Sequence, residues 1–347
     1  MSEPATSELS ATARAMVAPG KGILAADEST GTIEKRFKGI GIDNTEAHRR
    51  DYRDLLFTTQ GLGQHISASI LYDETLRQKG HDGTAFPELL ARQGVIPGIK
   101  VDTGAKPMAL CAGETVTEGL DGLSKRCAEY VKLGAKFAKW RAVITIGPGI
   151  PSQACVIANA HALARYAAIC QASGLVPIVE PEVLMDGDHT IERCEQVSEW
   201  TLREVFGALV SQRVKLEEMI LKPSMVVSGK DCKRQAGVQE VAERTVKVLK
   251  RTVPAAVPGI AFLSGGQSDE LATEHLDAMN RLGAKQGGLP WVLTFSYGSA
   301  LQAPALKAWK GSSANVAAAQ AALAHRSRMN GLAATGKYQV DLEKKAA

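Results

Sequence analysis

Residues 158–182 read ANAHALARYAAICQASGLVPIVEPE. The first half spaces its apolar side chains as a helix does, Gly174 is placed to stop it, and LVPIVEPE follows at once as a short apolar run. That run ends in two carboxylates, Glu180 and Glu182. Helix, glycine, buried strand and charged strand end make one unit of a parallel α/β sheet. One such unit settles nothing, but its repetition decides the fold.

The same unit recurs along the chain. Apolar runs bounded by turn residues appear as GILAAD (22–27), HISASILYD (65–73), GIKVD (98–102), AKFAKWR (135–141), LVPIVEPE (175–182), EMILKPS (218–224), GIAFLSGG (259–266) and WVLTFSYG (291–298). Amphipathic segments such as GLSKRCAEYVKLG and VQEVAERTVKVLKRTV lie between them, and Gly134 stops the first of these as Gly174 stops its own helix. Eight strand–helix repeats predict an α/β fold closed into a (β/α)8 TIM barrel. No low-complexity linker divides the chain. Residues 1–347 therefore read as one barrel domain, with a C-terminal helix in SSANVAAAQAALAHRSRMNG and a loose tail in GKYQVDLEKKAA.

Composition narrows the function. The chain has 347 residues, 45% hydrophobic and 22% charged, with a net charge of +4 spread along its length. No block of Lys and Arg with interleaved aromatics points to nucleic acid. No apolar run approaches the roughly 18 residues of a membrane span, and the polar start MSEPATSELSATARAM lacks the pattern of a signal peptide. Six dispersed cysteines, with no CxxC pair, predict reduced thiols in the cytoplasm. The seven histidines show no ligand spacing, which predicts no metal and no cofactor.

The strand ends carry the chemistry. Asp27, Asp73, Lys100, Asp102, Lys139, Arg141, Glu180, Glu182, Lys222 and Ser264 all close apolar runs, and in a barrel those ends converge on one mouth. A single lysine there, Lys222 of MILKPSM, reads most simply as one that snorkels to the surface. Three lysines, an arginine and several carboxylates on one rim read otherwise. A lysine is a nucleophile only as the neutral amine, and lowering its pKa by about 3 units from about 10.4 costs about 4 kcal/mol. Apolar burial and a second cation both push that way. MILKPSM supplies burial, and Lys139 can supply the cation from a strand two places round the barrel. Glu180 and Glu182 between them can move protons. That set suits Schiff-base chemistry on a carbonyl compound.

The turns after the last two strands, FLSGGQS and SYGS, occupy the usual phosphate position of such barrels. Their small residues let backbone N–H groups face an anion. Ser29 and Thr32 of ADESTGT offer further donors at the first strand end.

GILAADESTGT, NTEAHRRDYRDLLF, FAKWR, ARYAAICQASGLVPIVEPE, LKPSM, KRTVPAAVPGIAFLSGGQS and LTFSYGSALQAPALKAW together resemble the class I fructose-bisphosphate aldolases, from about Ala18 to Tyr338. The resemblance implies a metal-free (β/α)8 barrel, usually a homotetramer, working in glycolysis and gluconeogenesis on a phosphorylated ketose and triose phosphates. It implies cleavage of fructose 1,6-bisphosphate to glyceraldehyde 3-phosphate and dihydroxyacetone phosphate through a Schiff base on Lys222. Asp27 then takes the carbon-4 hydroxyl proton, Lys139 lines the reacting carbons, Glu180 shuttles protons and Glu182 supports the charge network. Ser29, Thr32 and Lys100 match the carbon-6 phosphate pocket. Ser264, Gly265, Gly266, Ser296 and Gly298 match the carbon-1 pocket. Lys35 and Arg36 of EKRF reach in from the side, and Arg141 completes the substrate contacts. Two departures stand out. Ser299 replaces the arginine of the family's SYGRAL, which leaves the carbon-1 pocket short of charge or marks a different preferred ketose or donor. The rival from another class is a catalytically weakened binding scaffold, and the retention of Asp27, Lys139, Glu180 and Lys222 together argues against it. No tyrosine follows Tyr338, whereas animal members end in one that assists protonation at carbon 3.

Overall fold

The computed structural model describes residues 7–345. Ten strands follow in chain order: β1 (Gly22–Ala26), β2 (Ile66–Leu71), β3 (Ile96–Lys100), β4 (Ala105–Pro107), β5 (Thr115–Thr117), β6 (Phe137–Ile144), β7 (Val176–Val183), β8 (Ile220–Leu221), β9 (Gly259–Phe262) and β10 (Val292–Tyr297). Eight of them pair in parallel and close a barrel in the order β1, β10, β9, β8, β7, β6, β3, β2. Helices link the strands, which confirms the (β/α)8 expectation. The remaining pair, β4 and β5, forms an antiparallel hairpin outside the barrel that the apolar runs did not announce.

Two apolar clusters divide the strands by their alternation. Ile23, Ala25, Ala68, Ile70, Phe137, Val176, Ile178, Ile220 and Ala261 fill the barrel interior. The intervening residues, such as Leu24, Leu71, Ala138, Val179, Leu221 and Phe262, pack outward under the helices. Side chains on a strand repeat with period two. The next inward positions toward the C-terminal mouth are therefore Asp27 after Ala25, Lys139 and Arg141 after Phe137, Glu180 and Glu182 after Ile178, and Lys222 after Ile220. The interior changes from hydrocarbon to charge within a single step on each of these four strands. Gly98 is needed in this layer, because a Cβ there would lie 2.3 Å from the Phe137 ring.

The barrel floor is closed by a helix over Glu8–Met16, capped by Ser7, whose hydroxyl accepts from Ser10 N at 3.1 Å. Its Ala13 and Met16 are buried in the interior cluster with Val17. The polar start gave no hint of this plug, since only Leu9, Ala13 and Met16 of the helix meet the interior cluster. Gly134 and Gly174 do end their helices, both with positive φ, at 99° and 80°. A left-handed residue at that position costs glycine nothing sterically.

Two expectations need correction. Asp73 does not reach the mouth: β2 ends at Leu71, its inward residues are Ala68 and Ile70, and Asp73 falls out of that phase to begin a helix over Asp73–Arg77. There it pairs with Arg77 at 3.0 Å. The segment after Gly336 is also not loose as far as Lys345. Tyr338 is buried, its N–H donates to Asp277 at 2.8 Å and its hydroxyl donates to Glu343 at 2.8 Å. Glu343 in turn accepts two 2.6 Å bonds from the buried Arg326. Residues 346 and 347 lie outside the described part.

Candidate active site

At the C-terminal mouth the strands enclose roughly 840 Å³ of space open to solvent, lined by Asp27, Ser29, Thr32, Arg36, Lys100, Lys139, Arg141, Glu180, Glu182, Lys222, Ser264, Gly265, Gly266, Ser296, Gly298 and Ser299. This gathers every residue singled out in the sequence as catalytic or substrate-binding except Lys35. The exception has a helical cause. Ser29, Thr32 and Arg36 stand three and four residues apart on the segment that includes the helix Thr30–Lys38 and so share a face, while Lys35 points about 100° away and is exposed.

At the centre one carboxylate bridges two lysines. Glu180 Oε1 lies 3.2 Å from Lys222 Nζ, and its Oε2 lies 3.3 Å from Lys139 Nζ. Lys139 Nζ also meets Asp27 Oδ2 at 2.7 Å. All four side chains are almost wholly buried. Register produces the cluster, because Arg141 on β6 stands opposite Glu180 on β7, and Ile220 on β8 opposite Ile178 on β7. Lys222 N–H then donates to Val179 O at 2.8 Å. Lys139 and Lys222 are two strands apart with the glutamate strand between them, as expected.

The electrostatics follow from burial and pairing. Burial alone pushes the Asp27 carboxyl up, but Lys139 first, then Lys222 and Lys100, outweigh it and hold the group well below its ordinary 3.8. Burial likewise disfavours the Lys139 ammonium, yet Asp27, Glu180 and Asp102 outweigh that and keep it charged well above 10.5. Lys139 and Asp27 are thus a fixed ion pair at neutral pH. Glu180 Oε2 is buried and makes no hydrogen bond, so its 3.3 Å approach to Lys139 is an ion-pair contact alone.

Polar groups stand on either side of this centre. On one side, Lys100 donates to Asp102 Oδ1 at 2.7 Å, and the same carboxylate takes the N–H of Arg141 at 3.2 Å. Arg141 itself donates through Nε to Glu182. Ser29 and Thr32 hydroxyls sit 3.1 Å apart nearby in the lining. On the other side, Gly265 and Gly266 turn the chain with positive φ of 59° and 91°. Among the described residues no protein acceptor takes either N–H. The buried Ser296 hydroxyl is also without a partner. Small residues with unspent donors suit an anion.

Ser299 is exposed at the start of the helix Ser299–Trp309. The guanidinium of Arg36 covers that turn, because a Cβ on Gly298 would lie 3.4 Å from Arg36 Nη2. Sequence reasoning missed what holds Arg36, namely Glu28. This buried carboxylate binds Arg36 Nη1, Arg53 Nη2 at 2.9 Å and the Gln302 amide at 2.9 Å. The available signal was a second acid beside Asp27 with arginines following in helical spacing, EKRF and RRDYR.

A barrel that buries two lysines on one shared glutamate, between two groups of anion donors, is built to activate the carbonyl of a substrate charged at both ends. Comparison with known proteins gives that class its family. The model of the family described as "Fructose-bisphosphate aldolase class-I" matches residues 8–347. The chain is 62% identical over 333 residues to the "Probable fructose-bisphosphate aldolase class 1" of Xanthomonas campestris pv. campestris, covering 96% of this chain and 98% of that protein. It is 55% identical to fructose-bisphosphate aldolase 1 of Toxoplasma gondii, covering 97% and 93%. The solved fructose-bisphosphate aldolase of Plasmodium falciparum superposes with a TM-score of 0.94 at 50% identity, covering 97% of each chain. The chain belongs to the class I fructose-bisphosphate aldolases, enzymes that cleave fructose 1,6-bisphosphate through a Schiff base.

Proposed function

We propose that Lys222 is the Schiff-base lysine of this aldolase and that Glu180, Lys139 and Asp27 serve it. The observation that carries this reading is the single glutamate placed 3.2 Å and 3.3 Å from the two buried lysines. The neutral amine of Lys222 attacks carbon 2 of the ketose. Glu180 passes the proton that lets the carbinolamine lose water, through the Oε1 that faces Lys222 at 3.2 Å. Asp27, ionised beside Lys139, takes the carbon-4 hydroxyl proton as the bond between carbons 3 and 4 breaks. The electron pair flows into an enamine on Lys222, the aldehyde leaves, and protonation at carbon 3 followed by hydrolysis frees the second triose phosphate. Glu182 fixes Arg141 at the rim. Ser29, Thr32, Lys100 and Arg141 take the carbon-6 phosphate. Ser264, Gly265, Gly266, Ser296, Gly298 and Arg36 take the carbon-1 phosphate. Incubation with dihydroxyacetone phosphate and borohydride tests the assignment: one reduced triose phosphate is expected per chain, on the peptide holding Lys222.

Activity is expected to survive EDTA, because the lysine itself supplies the electron sink. Loss of cleavage that added zinc restores sinks the lysine route.

The placement of Arg36 changes what Ser299 means. A charge-assisted bond to phosphate contributes about 1.5–3 kcal/mol, and Arg36 already reaches the turn where the family's arginine stands. Arg36→Ala is therefore expected to lower kcat/KM for fructose 1,6-bisphosphate by roughly 10- to 150-fold. Ser299→Arg should raise it by less than about tenfold. A ketose lacking the carbon-1 phosphate should respond little to either change. Equal losses for both substrates remove Arg36 from the phosphate pocket.

We also read residues 1–347 as one domain, supported by the C-terminal helix Val316–Ala333 packing against the helices Asp269–Lys285 and Ser299–Trp309. A homotetramer is supported by the habit of the family alone. A cytoplasmic place is supported by 53% identity to the cytoplasmic isozyme of Spinacia oleracea, and no described helix is long and apolar enough to cross a membrane.

A further inference from the structure

β8 is the shortest strand of the barrel, two residues long, and Lys222 follows it directly. Its ladder to β7 closes with the bond from Lys222 N–H to Val179 O. Pro223 then follows, and a proline has no N–H with which to continue. A reactive side chain thus sits where the backbone support of its strand runs out. The next residue restores that support by other means. Ser224 Oγ accepts from Val183 N at 3.0 Å and donates to Val183 O at 2.9 Å, spending its one proton and a lone pair on both backbone groups of a single β7 residue. On the other side Pro223 O accepts from Leu263 N at 3.1 Å, and further on Val226 N–H is taken by the Thr245 hydroxyl at 2.9 Å.

We propose that Ser224 is a positioning residue, a side-chain clamp that replaces the missing β7–β8 ladder after Pro223 and so holds Lys222 at working distance from Glu180. Val183 lies three residues beyond Glu180 on β7, and Ser224 two residues beyond Lys222. The clamp therefore fixes the spacing of the two strand segments that carry the nucleophile and its proton shuttle. The proposal rests on Lys222 being the Schiff-base lysine. Ser224 does not line the cavity and cannot touch the substrate. Its removal should act on the reaction and spare binding, because displacement of a reacting group by about 1 Å costs up to about 10²-fold in rate.

The test compares wild type with Ser224→Ala, Ser224→Cys and Ser224→Thr, each confirmed folded by circular dichroism at the assay temperature. Ser224→Ala is expected to lower kcat for fructose 1,6-bisphosphate, and the rate of borohydride trapping with dihydroxyacetone phosphate, about tenfold in parallel, with KM within about twofold. Ser224→Thr keeps the hydroxyl, and its extra methyl can enter the small void bordered by Pro181, Thr201 and Pro223. It should restore both rates to within about threefold of wild type. If the alanine variant does not fold, the cysteine variant, similar in size and a poor hydrogen-bonding group, is read in the same way. Rates within twofold of wild type, or losses that threonine does not restore, overturn the proposal. A wild-type label on Lys222 with an unaffected Ser224→Ala overturns this inference alone, whereas a wild-type label on another lysine overturns the Lys222 assignment and the inference with it.

Discussion

Lys222→Met is expected to eliminate the borohydride-trapped adduct and to lower kcat by roughly 10⁴-fold or more, about 5.5 kcal/mol of barrier. No other group in the cavity can make the covalent intermediate from the same position. Lys139 is the nearest candidate, but its nitrogen is engaged at 2.7 Å by Asp27 and held protonated, and an ammonium has no lone pair to attack with. The fold should be retained. Methionine follows the path of the lysine stem into a site that is 3% exposed, and Glu180 keeps Lys139 as its counter-ion, so no carboxylate is stranded. Mass spectrometry of the reduced protein and a thermal melt check both halves of the expectation. A label that persists on Lys139 or Lys100 assigns the Schiff base elsewhere and requires the roles to be redrawn.

Much of this site was legible because a barrel turns a one-dimensional pattern into a place. Period-two alternation puts Asp27, Lys139, Glu180 and Lys222 one step beyond buried interior residues, and parallel strands point all four at one mouth. What alternation cannot supply is where a strand stops. Asp73 closes an apolar run like the others, yet β2 ends two residues earlier and the side chain leaves the inward phase. Lys35 was grouped with Arg36 by adjacency, whereas helical geometry separates neighbours by about 100°. The buried Tyr338 was invisible for a different reason: its backbone is held by Asp277 and Arg281, from a helix distant in sequence. Individual roles came from the family resemblance. Spacing alone said that lysines and carboxylates would meet, and the register of β6, β7 and β8 decided that one glutamate would serve two of them.

The Lys139–Asp27 pair should behave as a unit whose loss is expensive and whose joint removal is less so. Asp27 is depressed on folding, so its contribution to stability is present above the unfolded value of 3.8 and is lost as pH falls through its lower folded value. Lys139 is raised on folding, so its contribution is complete below 10.5 and is lost as pH rises through its higher folded value. From about pH 5 to about pH 9 both are charged, and any limb of the kcat profile in that window belongs to another group. Lys139→Met leaves Asp27 buried and unpaired in charge, and breaking a buried pair in this way costs about 3–5 kcal/mol. Adding Asp27→Asn removes the stranded carboxylate, so urea unfolding of the double variant should recover at least half of that loss. Activity should not recover, because the double variant lacks both the base for the carbon-4 hydroxyl and the charge beside Glu180. A kcat/KM loss of roughly 10²- to 10⁴-fold is expected in each variant. Additive stability losses would show that the two charges do not stabilise each other across their 2.7 Å contact. Cleavage within tenfold of wild type in Lys139→Met would leave Asp27 and Lys222 working without the cation between them, and the charge-coupled centre described for this aldolase would have to be abandoned.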